Sequence, residues 1–186
     1  MKPKCLLDMD GVIANWHLAF HRHIGLGTAG TLPYTVNWDG VDQAFWENIE
    51  PTPEANDIVE LVINQFGIDR IAVCTLYPVK HGYPWERIHE CYLGKVNWLK
   101  KHFPELITHF CLTPSKWFTA SPWSLLVDDS DDNIDEFVEE GGNGLLVPRP
   151  WNSLSPNSGS SSEVMAVVKE SLSDWAIYFR DTPWRF

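Results

Sequence analysis

The sequence predicts an α/β fold, a Rossmann-like three-layer sandwich in which a parallel sheet lies between helices. Five short apolar runs lack polar alternation, which indicates strands covered on both faces. These runs span residues 4–7, 70–74, 108–112, 124–128 and 144–147. Stretches with apolar residues at helical spacing separate them, as expected for strands that alternate with helices. With 186 residues, 44% of them hydrophobic, the chain suits one compact domain with a small insertion.

Helical patterns connect the predicted strands. One follows Thr52, a candidate N-cap, and Pro53, which suits the first helical position. Another begins at Ile88, and a third begins with a capping box formed by Ser160 and Glu163. The apolar positions of the first two patterns are Ile58, Leu61, Val62 and Phe66, and then Ile88, Tyr92, Leu99 and Phe103.

Two stretches fall outside this alternation. Residues 15–50 are rich in aromatic residues, His and Gly and contain no convincing central strand, so we expect a small, mostly helical cap inserted after the first strand. With the helix that follows, the predicted cap comprises residues 15–66, and the predicted catalytic core comprises residues 1–14 and 67–186. Residues 152–162 are rich in Ser and are expected to form a mobile surface loop.

Charge and composition exclude several classes of function. The formal net charge is −11, and such a surface repels phosphate backbones, so long nucleic acid is not an expected partner. A small phosphorylated ligand is still compatible, because one cation and a few local donors can overcome the overall field. The four cysteines show no CxxC spacing and are expected to be reduced. Neither a signal peptide nor a long apolar run is evident, which predicts a soluble cytoplasmic protein without a membrane partner.

The chemistry begins at Asp8-Met9-Asp10-Gly11-Val12, directly after the first buried run. Two carboxylates separated by one residue at the carboxyl end of a strand project into the crevice where α/β sheets bind ligands. Such carboxylates repel each other, which favours a hard cation such as Mg²⁺ between them. In isolation, the same pattern is more typical of an ordinary Asx turn between strand and helix.

Three further strand ends carry polar side chains. Asp128 ends the run 124–128 and is followed by Asp129, Thr75 directly follows the run 70–74, and Lys116 follows the run 108–112. Parallel strands deliver their carboxyl ends to one edge of the sheet, so we expect these groups to meet Asp8 and Asp10 there.

In this order, Asp8-Met9-Asp10-Gly11-Val12, Thr75, Lys116 and Asp128-Asp129 match the four motifs of the haloacid dehalogenase (HAD) superfamily. More narrowly, the chain resembles the 5′(3′)-deoxyribonucleotidases and their bacterial and phage relatives over roughly residues 4–150. The segments that carry this resemblance are 45–53, 73–75, 95–103, 112–116 and 125–129.

The resemblance implies a Mg²⁺-dependent phosphoric monoester hydrolase that acts on nucleoside monophosphates. Asp8 would be the nucleophile that forms an aspartyl-phosphate, and Asp10 the general acid and base. Mg²⁺ would be held by the Asp8 carboxylate, the Asp10 backbone carbonyl and Asp128. Lys116 and Thr75 would bind the oxygens of the transferred phosphoryl group.

The resemblance also implies supporting roles and contains two departures. Asp129 would orient Lys116 or a water on the metal, and Trp16 would stack on the nucleobase, although a core role for Trp16 is equally compatible with the sequence. The family commonly has Ser-Pro after the threonine, where this chain has Leu76-Tyr77-Pro78, and Arg two residues before the lysine, where it has Pro114. We therefore expect retained catalysis with an altered substrate preference.

Other interpretations remain at this stage. The substrate could be another small phosphate ester or a nucleic-acid 3′-phosphate, and a non-catalytic binding protein is a further alternative. His17 and His21, at positions i and i+4, form a candidate zinc pair, but no HExxH pattern accompanies them.

Overall fold

The structure, a computed structural model, describes residues 2–25, 37–78 and 82–181. It contains a parallel five-stranded sheet with strand order β3-β2-β1-β4-β5. The strands are β1 (Lys4–Leu7), β2 (Ile71–Leu76), β3 (Phe110–Thr113), β4 (Ser124–Asp128) and β5 (Asn143–Leu146). The first strand of the chain is therefore the centre of the sheet, with β2 and β4 on either side of it.

Helices connect and cover the strands. They are α1 (Trp16–His23), α2 (Gln43–Glu47), α3 (Ala55–Phe66), α4 (Ile88–His102), α5 (Asp131–Glu139) and α6 (Ser161–Asp181). The described part of the chain contains no helix that is long and apolar enough to cross a membrane.

Both faces of the sheet are covered, which confirms the predicted α/β sandwich. On one face, Cys5 and Leu7 belong to the main hydrophobic core together with side chains of α3, α4 and α6. On the other face, Leu6 packs in a smaller cluster with Leu126 and with Phe137 of α5. Alternate residues of a strand point to opposite faces, so a strand apolar on both sides needs helices on both sides.

The predicted strand positions agree with the observed strands to within two residues. The N-terminal cap of α3 differs from the expectation. The helix begins at Ala55 with Glu54 at the N-cap, and the Thr52 hydroxyl instead donates a hydrogen bond of 2.7 Å to the carbonyl of Val12. Thr52 thus stabilises the loop after β1 rather than the helix. The predicted capping box at α6 is formed in part: Oγ of Ser160 accepts a hydrogen bond from the backbone N–H of Glu163 (3.3 Å) and donates one to the Glu163 carboxylate (2.8 Å).

The segment after β1 packs closely on α4. Trp16, Phe20 and Trp46 from α1 and α2 join the main core, and Gly94 of α4 permits the approach of α2. A Cβ at Gly94 would lie 2.5 Å from the Cβ of Trp46, too close for any side chain. Helix α3, at the end of the predicted cap 15–66, packs against β1, β2 and α6. The division of the chain into core and cap stays a prediction.

The four cysteines are all free thiols. Burial raises the pKa of Cys91 to about 11 and that of Cys74 to about 12, which keeps both thiols protonated at neutral pH.

Candidate active site

The loop that follows β1 is held in place by its neighbours. Gly11 has a φ of 79°, and a Cβ there would lie 2.1 Å from Oδ2 of Asp129, so no larger residue fits. Arg149, after β5, donates hydrogen bonds to the carbonyls of Gly11 (2.5 Å) and Val12 (3.2 Å). Its guanidinium also pairs with Glu54 at 3.2 Å, and both side chains are buried. These contacts hold the turn that directly follows Asp8 and Asp10.

The nucleophile candidate shares a buried lysine with the end of β4. Nζ of Lys116 lies 2.7 Å from Oδ1 of Asp8 and 2.5 Å from Oδ2 of Asp128. Although burial opposes a charged ammonium, the two carboxylates hold the pKa of Lys116 above its ordinary value. Lys116 is therefore a cation that spans two strand ends.

The carboxylate of Asp128 is bonded on both oxygens. Oδ1 accepts hydrogen bonds from the backbone N–H of Ser130 (2.9 Å) and from the side-chain amide of Asn133 (3.2 Å). Oδ2 accepts from Lys116 (2.5 Å). The start of α5 thus orients Asp128, which has no exposed surface.

Asp10 faces a second buried lysine, Lys95 of α4. Nζ of Lys95 donates to Oδ2 of Asp10 (2.5 Å), to the hydroxyl of Thr75 (2.8 Å) and to the carbonyl of Leu76 (2.6 Å). The Thr75 hydroxyl lies 3.4 Å from the same Asp10 oxygen. Thr75 and Lys95 are fully buried, whereas the Asp10 side chain is 22% exposed and reaches the cavity.

Asp129 is held by two residues that follow β5. Its Oδ2 accepts a hydrogen bond of 2.6 Å from the indole N–H of Trp151, and its backbone carbonyl accepts one of 2.8 Å from Asn152. The ring of His17 stacks on Trp151 with a centroid distance of 3.7 Å and lies 3.8 Å from Asp129. His17 of α1 therefore contacts residues that follow β4 and β5.

The electrostatics of the acidic cluster fit a hard divalent cation. Asp8, Asp128 and Asp129 place carboxylate oxygens within 4.8 Å of one another, three buried acids beside the single ammonium of Lys116. Burial raises the pKa of Asp8 well above its ordinary value; Lys116 opposes this shift, and the neighbouring carboxylates add to it. Burial and the charge of Asp128 likewise raise the pKa of Asp129 to about 7. Oxygen ligands with excess negative charge are the donor set that Mg²⁺ prefers.

These groups surround an open cavity of about 490 Å³, a size typical of small-molecule sites. Asp8, Asp10 and Lys116 lie in its lining, together with a set of aromatic side chains. That set is Trp16, His17, Trp46, Tyr77 and Trp151. The carboxylates and the ammonium at the sheet edge therefore share one cavity with aromatic side chains.

Among solved structures, the chain is similar to a HAD family hydrolase. That protein, from Deinococcus radiodurans R1, was crystallised with bound phosphate and sodium. The alignment covers 92% of this chain and 97% of the other, with 16% sequence identity and a TM-score of 0.36. No family model matches the sequence, and no curated protein is significantly similar to it. A likeness this loose supports no functional assignment.

The structure brings most of the predicted site residues together, while their roles stay predictions. Asp8, Asp10, Lys116 and Asp129 line the cavity, and Asp128 lies directly behind Lys116. The predicted phosphate ligand Thr75 is buried, with its hydroxyl engaged by Lys95 and Asp10. The departures from the family pattern, residues 76–78 and Pro114, also line the cavity, where they can affect substrate preference.

The predicted base-stacking residue Trp16 is 6% exposed. Its ring stacks on Phe20 with a centroid distance of 5.1 Å and on Trp46 with one of 6.2 Å. Trp16 therefore contributes to the core as well as to the cavity wall. Of the candidate zinc pair, His17 lines the cavity and His21 is buried, and neither belongs to the acidic cluster found among the described residues.

Sequence reasoning missed four residues that organise the site. Lys95 carried a usable signal, because it lies at i+4 from Cys91 and i−3 from Trp98, on the buried face of α4. A lysine at a core position needs a buried anion. Arg149, Trp151 and Asn152 gave no such signal, since they follow β5 in irregular chain. Asn152 also corrects the expectation of a surface loop from residue 152, because it is buried and bonded to two core carbonyls.

Proposed function

We propose that the protein is a Mg²⁺-dependent phosphomonoesterase of the HAD type, with Asp8 as covalent nucleophile and nucleoside monophosphates as substrates. The observation that carries this proposal is the position of Lys116. Its Nζ lies 2.7 Å from Asp8 and 2.5 Å from Asp128, at the ends of two neighbouring strands. A buried carboxylate beside a fixed cation, at the edge of an open cavity, suits attack on a dianionic phosphate ester.

The chain's own residues divide the chemistry in a consistent way. Asp8 would attack phosphorus, and Lys116 would offset the negative charge that the phosphoryl group brings beside that carboxylate. Asp10, the more exposed of the two motif acids, would pass a proton to the leaving oxygen and later accept one from water. Mg²⁺ held by Asp8 and Asp128 would neutralise the remaining charge of the phosphate and the acids.

Two features of the cavity support a nucleotide over other phosphate esters. Two half-buried aromatic side chains in its wall, Tyr77 and Trp151, offer ring surface to a base, whose stacking contributes on the order of 1–3 kcal/mol. Its rim adds Asp131 and Asp132 to the motif acids, and so much negative charge disfavours a polynucleotide. A single terminal phosphate on a small molecule fits both features.

The direct test is phosphate release from a panel of nucleoside monophosphates, sugar phosphates and a 3′-phosphorylated oligonucleotide. We expect nucleoside monophosphates to give the highest kcat/KM, EDTA to abolish turnover, and Mg²⁺ to restore it. Asp8→Asn should lower kcat at least about a thousandfold, because an amide cannot form the aspartyl-phosphate. The matched control is Asp57→Asn, the same change at an exposed position of α3.

Different results contradict different parts of the proposal. Near wild-type activity of Asp8→Asn in Mg²⁺ would exclude the covalent mechanism. Restoration by Zn²⁺ alone would direct attention to His17 and His21. A clear preference for sugar phosphates would support phosphatase activity but contradict nucleoside monophosphates as substrates. Absence of phosphate release from every ester would refute the proposed enzymatic activity.

A further inference from the structure

Lys95 is a fully buried lysine, and burial of a charged side chain is unfavourable unless a partner compensates it. It lies in the middle of α4, has no exposed surface, and its Nζ is 5.0 Å from the ring centroid of Trp46. Burial of an ammonium disfavours its charged form, yet the carboxylate of Asp10 holds the pKa of Lys95 above its ordinary value. The residue is therefore a permanent buried cation at neutral pH.

The hydrogen bonds of Lys95 exclude a role in binding phosphate. A lysine ammonium has three N–H donors, and three acceptors lie within 2.8 Å of Nζ: Oδ2 of Asp10, the Leu76 carbonyl and the Thr75 hydroxyl. No donor is left for a ligand. In this respect Lys95 differs from Lys116, which lines the cavity and lies beside the nucleophile.

The two oxygens of the Asp10 carboxylate have unequal surroundings. Oδ2 receives Lys95 at 2.5 Å and lies 3.4 Å from the Thr75 hydroxyl. Oδ1 is buried and has no hydrogen-bond partner among the described residues, although the Asp10 side chain contributes to the cavity wall. A buried carboxylate oxygen without a donor is unfavourable unless a ligand or water completes it.

We propose that Lys95 is a positioning residue that anchors Asp10 through Oδ2 and so fixes the carboxyl group that transfers the proton. This inference depends on the proposed function, in which Asp10 is the general acid and base. An ammonium fixed by two further acceptors, the Thr75 hydroxyl and the Leu76 carbonyl, holds the Asp10 carboxyl group in one orientation.

The proton balance of both half-reactions then runs through the Asp10 carboxyl group. In the first, the O–H bond of this group breaks, its proton goes to the leaving oxygen, and the ester P–O bond breaks as phosphorus bonds to Asp8. In the second, a water oxygen bonds to phosphorus, one water proton goes to the Asp10 carboxylate, and the bond between Asp8 and phosphorus breaks with its electron pair on Asp8.

The test is Lys95→Met, which keeps the length of the side chain and removes its charge and donors. Proton donation matters most for a leaving group that is a poor anion and least for nitrophenolate. We expect kcat/KM to fall about a hundredfold or more for a nucleoside monophosphate, whose leaving group is an alkoxide, and less than about tenfold for p-nitrophenyl phosphate. The ratio kcat/KM is the correct readout, because it reports the steps up to departure of the leaving group.

Two controls separate positioning from a general structural role. Lys100→Met makes the same change at an exposed position of α4 and should leave both ratios unchanged. Adding Lys95→Met to Asp10→Asn should cost less than about threefold more, because the group that Lys95 positions is already lost. Lys95→Gln, which retains two N–H donors, replaces Lys95→Met throughout if circular dichroism shows that the methionine variant is unfolded.

The outcomes are distinguishable. Equal losses of kcat/KM on the two substrates, or losses that multiply in the double variant, would overturn the positioning role of Lys95. Neither result would contradict the proposed phosphatase activity. Absence of turnover by the wild-type protein on every ester would refute the proposed function itself. A loss confined to the substrate with the poor leaving group, together with a silent second mutation, supports the inference.

Discussion

Replacing Arg149 with methionine should destabilise the loop that carries both motif acids. The guanidinium pairs with Glu54 at 3.2 Å and donates to the carbonyls of Gly11 and Val12, which belong to the turn after β1. Arg149→Met removes all of these contacts at once. It also leaves the carboxylate of Glu54, whose side chain is 5% exposed, without its cation.

The size of the effect follows from this burial. Removing one member of a buried ion pair typically costs about 3–5 kcal/mol, most of it the cost of the partner charge left unpaired. In a chain of this size, each kcal/mol lowers the melting temperature by about 2–4 °C. The expected fall is therefore about 6–20 °C. Adding Glu54→Gln should recover part of it, because the unpaired charge is then removed.

Urea denaturation and thermal melting of four proteins test this reasoning: wild type, Arg149→Met, Glu54→Gln and the double variant. The chain offers a matched control in Arg22→Met, which breaks the exposed pair of Arg22 and Glu50, 3.4 Å apart and 57% and 73% exposed. That variant should lose less than about 1 kcal/mol. If Arg149→Met loses no more than Arg22→Met, or if the double variant is less stable than both single variants, the assigned role of the buried pair is wrong.

Two further predictions concern the cavity. Because the pKa of Asp129 is raised to about 7, from about 3.9 in the unfolded chain, the folded metal-free protein binds more protons than the unfolded chain between these values. Asp129 therefore makes the free energy of unfolding fall as pH rises through that window. Urea denaturation of wild type and Asp129→Asn should show this fall as a pH-dependent difference between the two proteins, and Mg²⁺ should abolish it. A free energy of unfolding that rises with pH in wild type relative to Asp129→Asn would contradict the raised pKa. Trp16→Ala should cost about 3–5 kcal/mol of stability, because the ring is 6% exposed. If the ring also covers a base, KM should rise about tenfold for nucleoside monophosphates and less for p-nitrophenyl phosphate, whereas equal changes would contradict stacking.

The strands and the order of the acidic groups were predictable from the sequence. Each strand is a short run that is apolar on both faces, and Asp8, Thr75 and Asp128 each lie at or just beyond the end of such a run. Parallel strands bring their carboxyl ends to one edge of the sheet. The local pattern of each run therefore predicted that these three residues, far apart along the chain, lie close together. Lys116 was predictable for the same reason, since it follows β3 by a short loop.

The pairing of Lys95 with Asp10 depended on how the helices pack. Lys95 is far from Asp10 along the chain and reaches it only because α4 lies against the sheet with its Cys91 and Trp98 face inward. Helical periodicity marks that face as buried but does not identify the carboxylate opposite it. The same holds for Arg149 and Trp151, whose partners Glu54 and Asp129 belong to other elements. Local sequence patterns specify which side chains a strand end presents. Contacts between elements depend on the distances that packing produces, and only the packed structure shows that Lys95 anchors Oδ2 of Asp10.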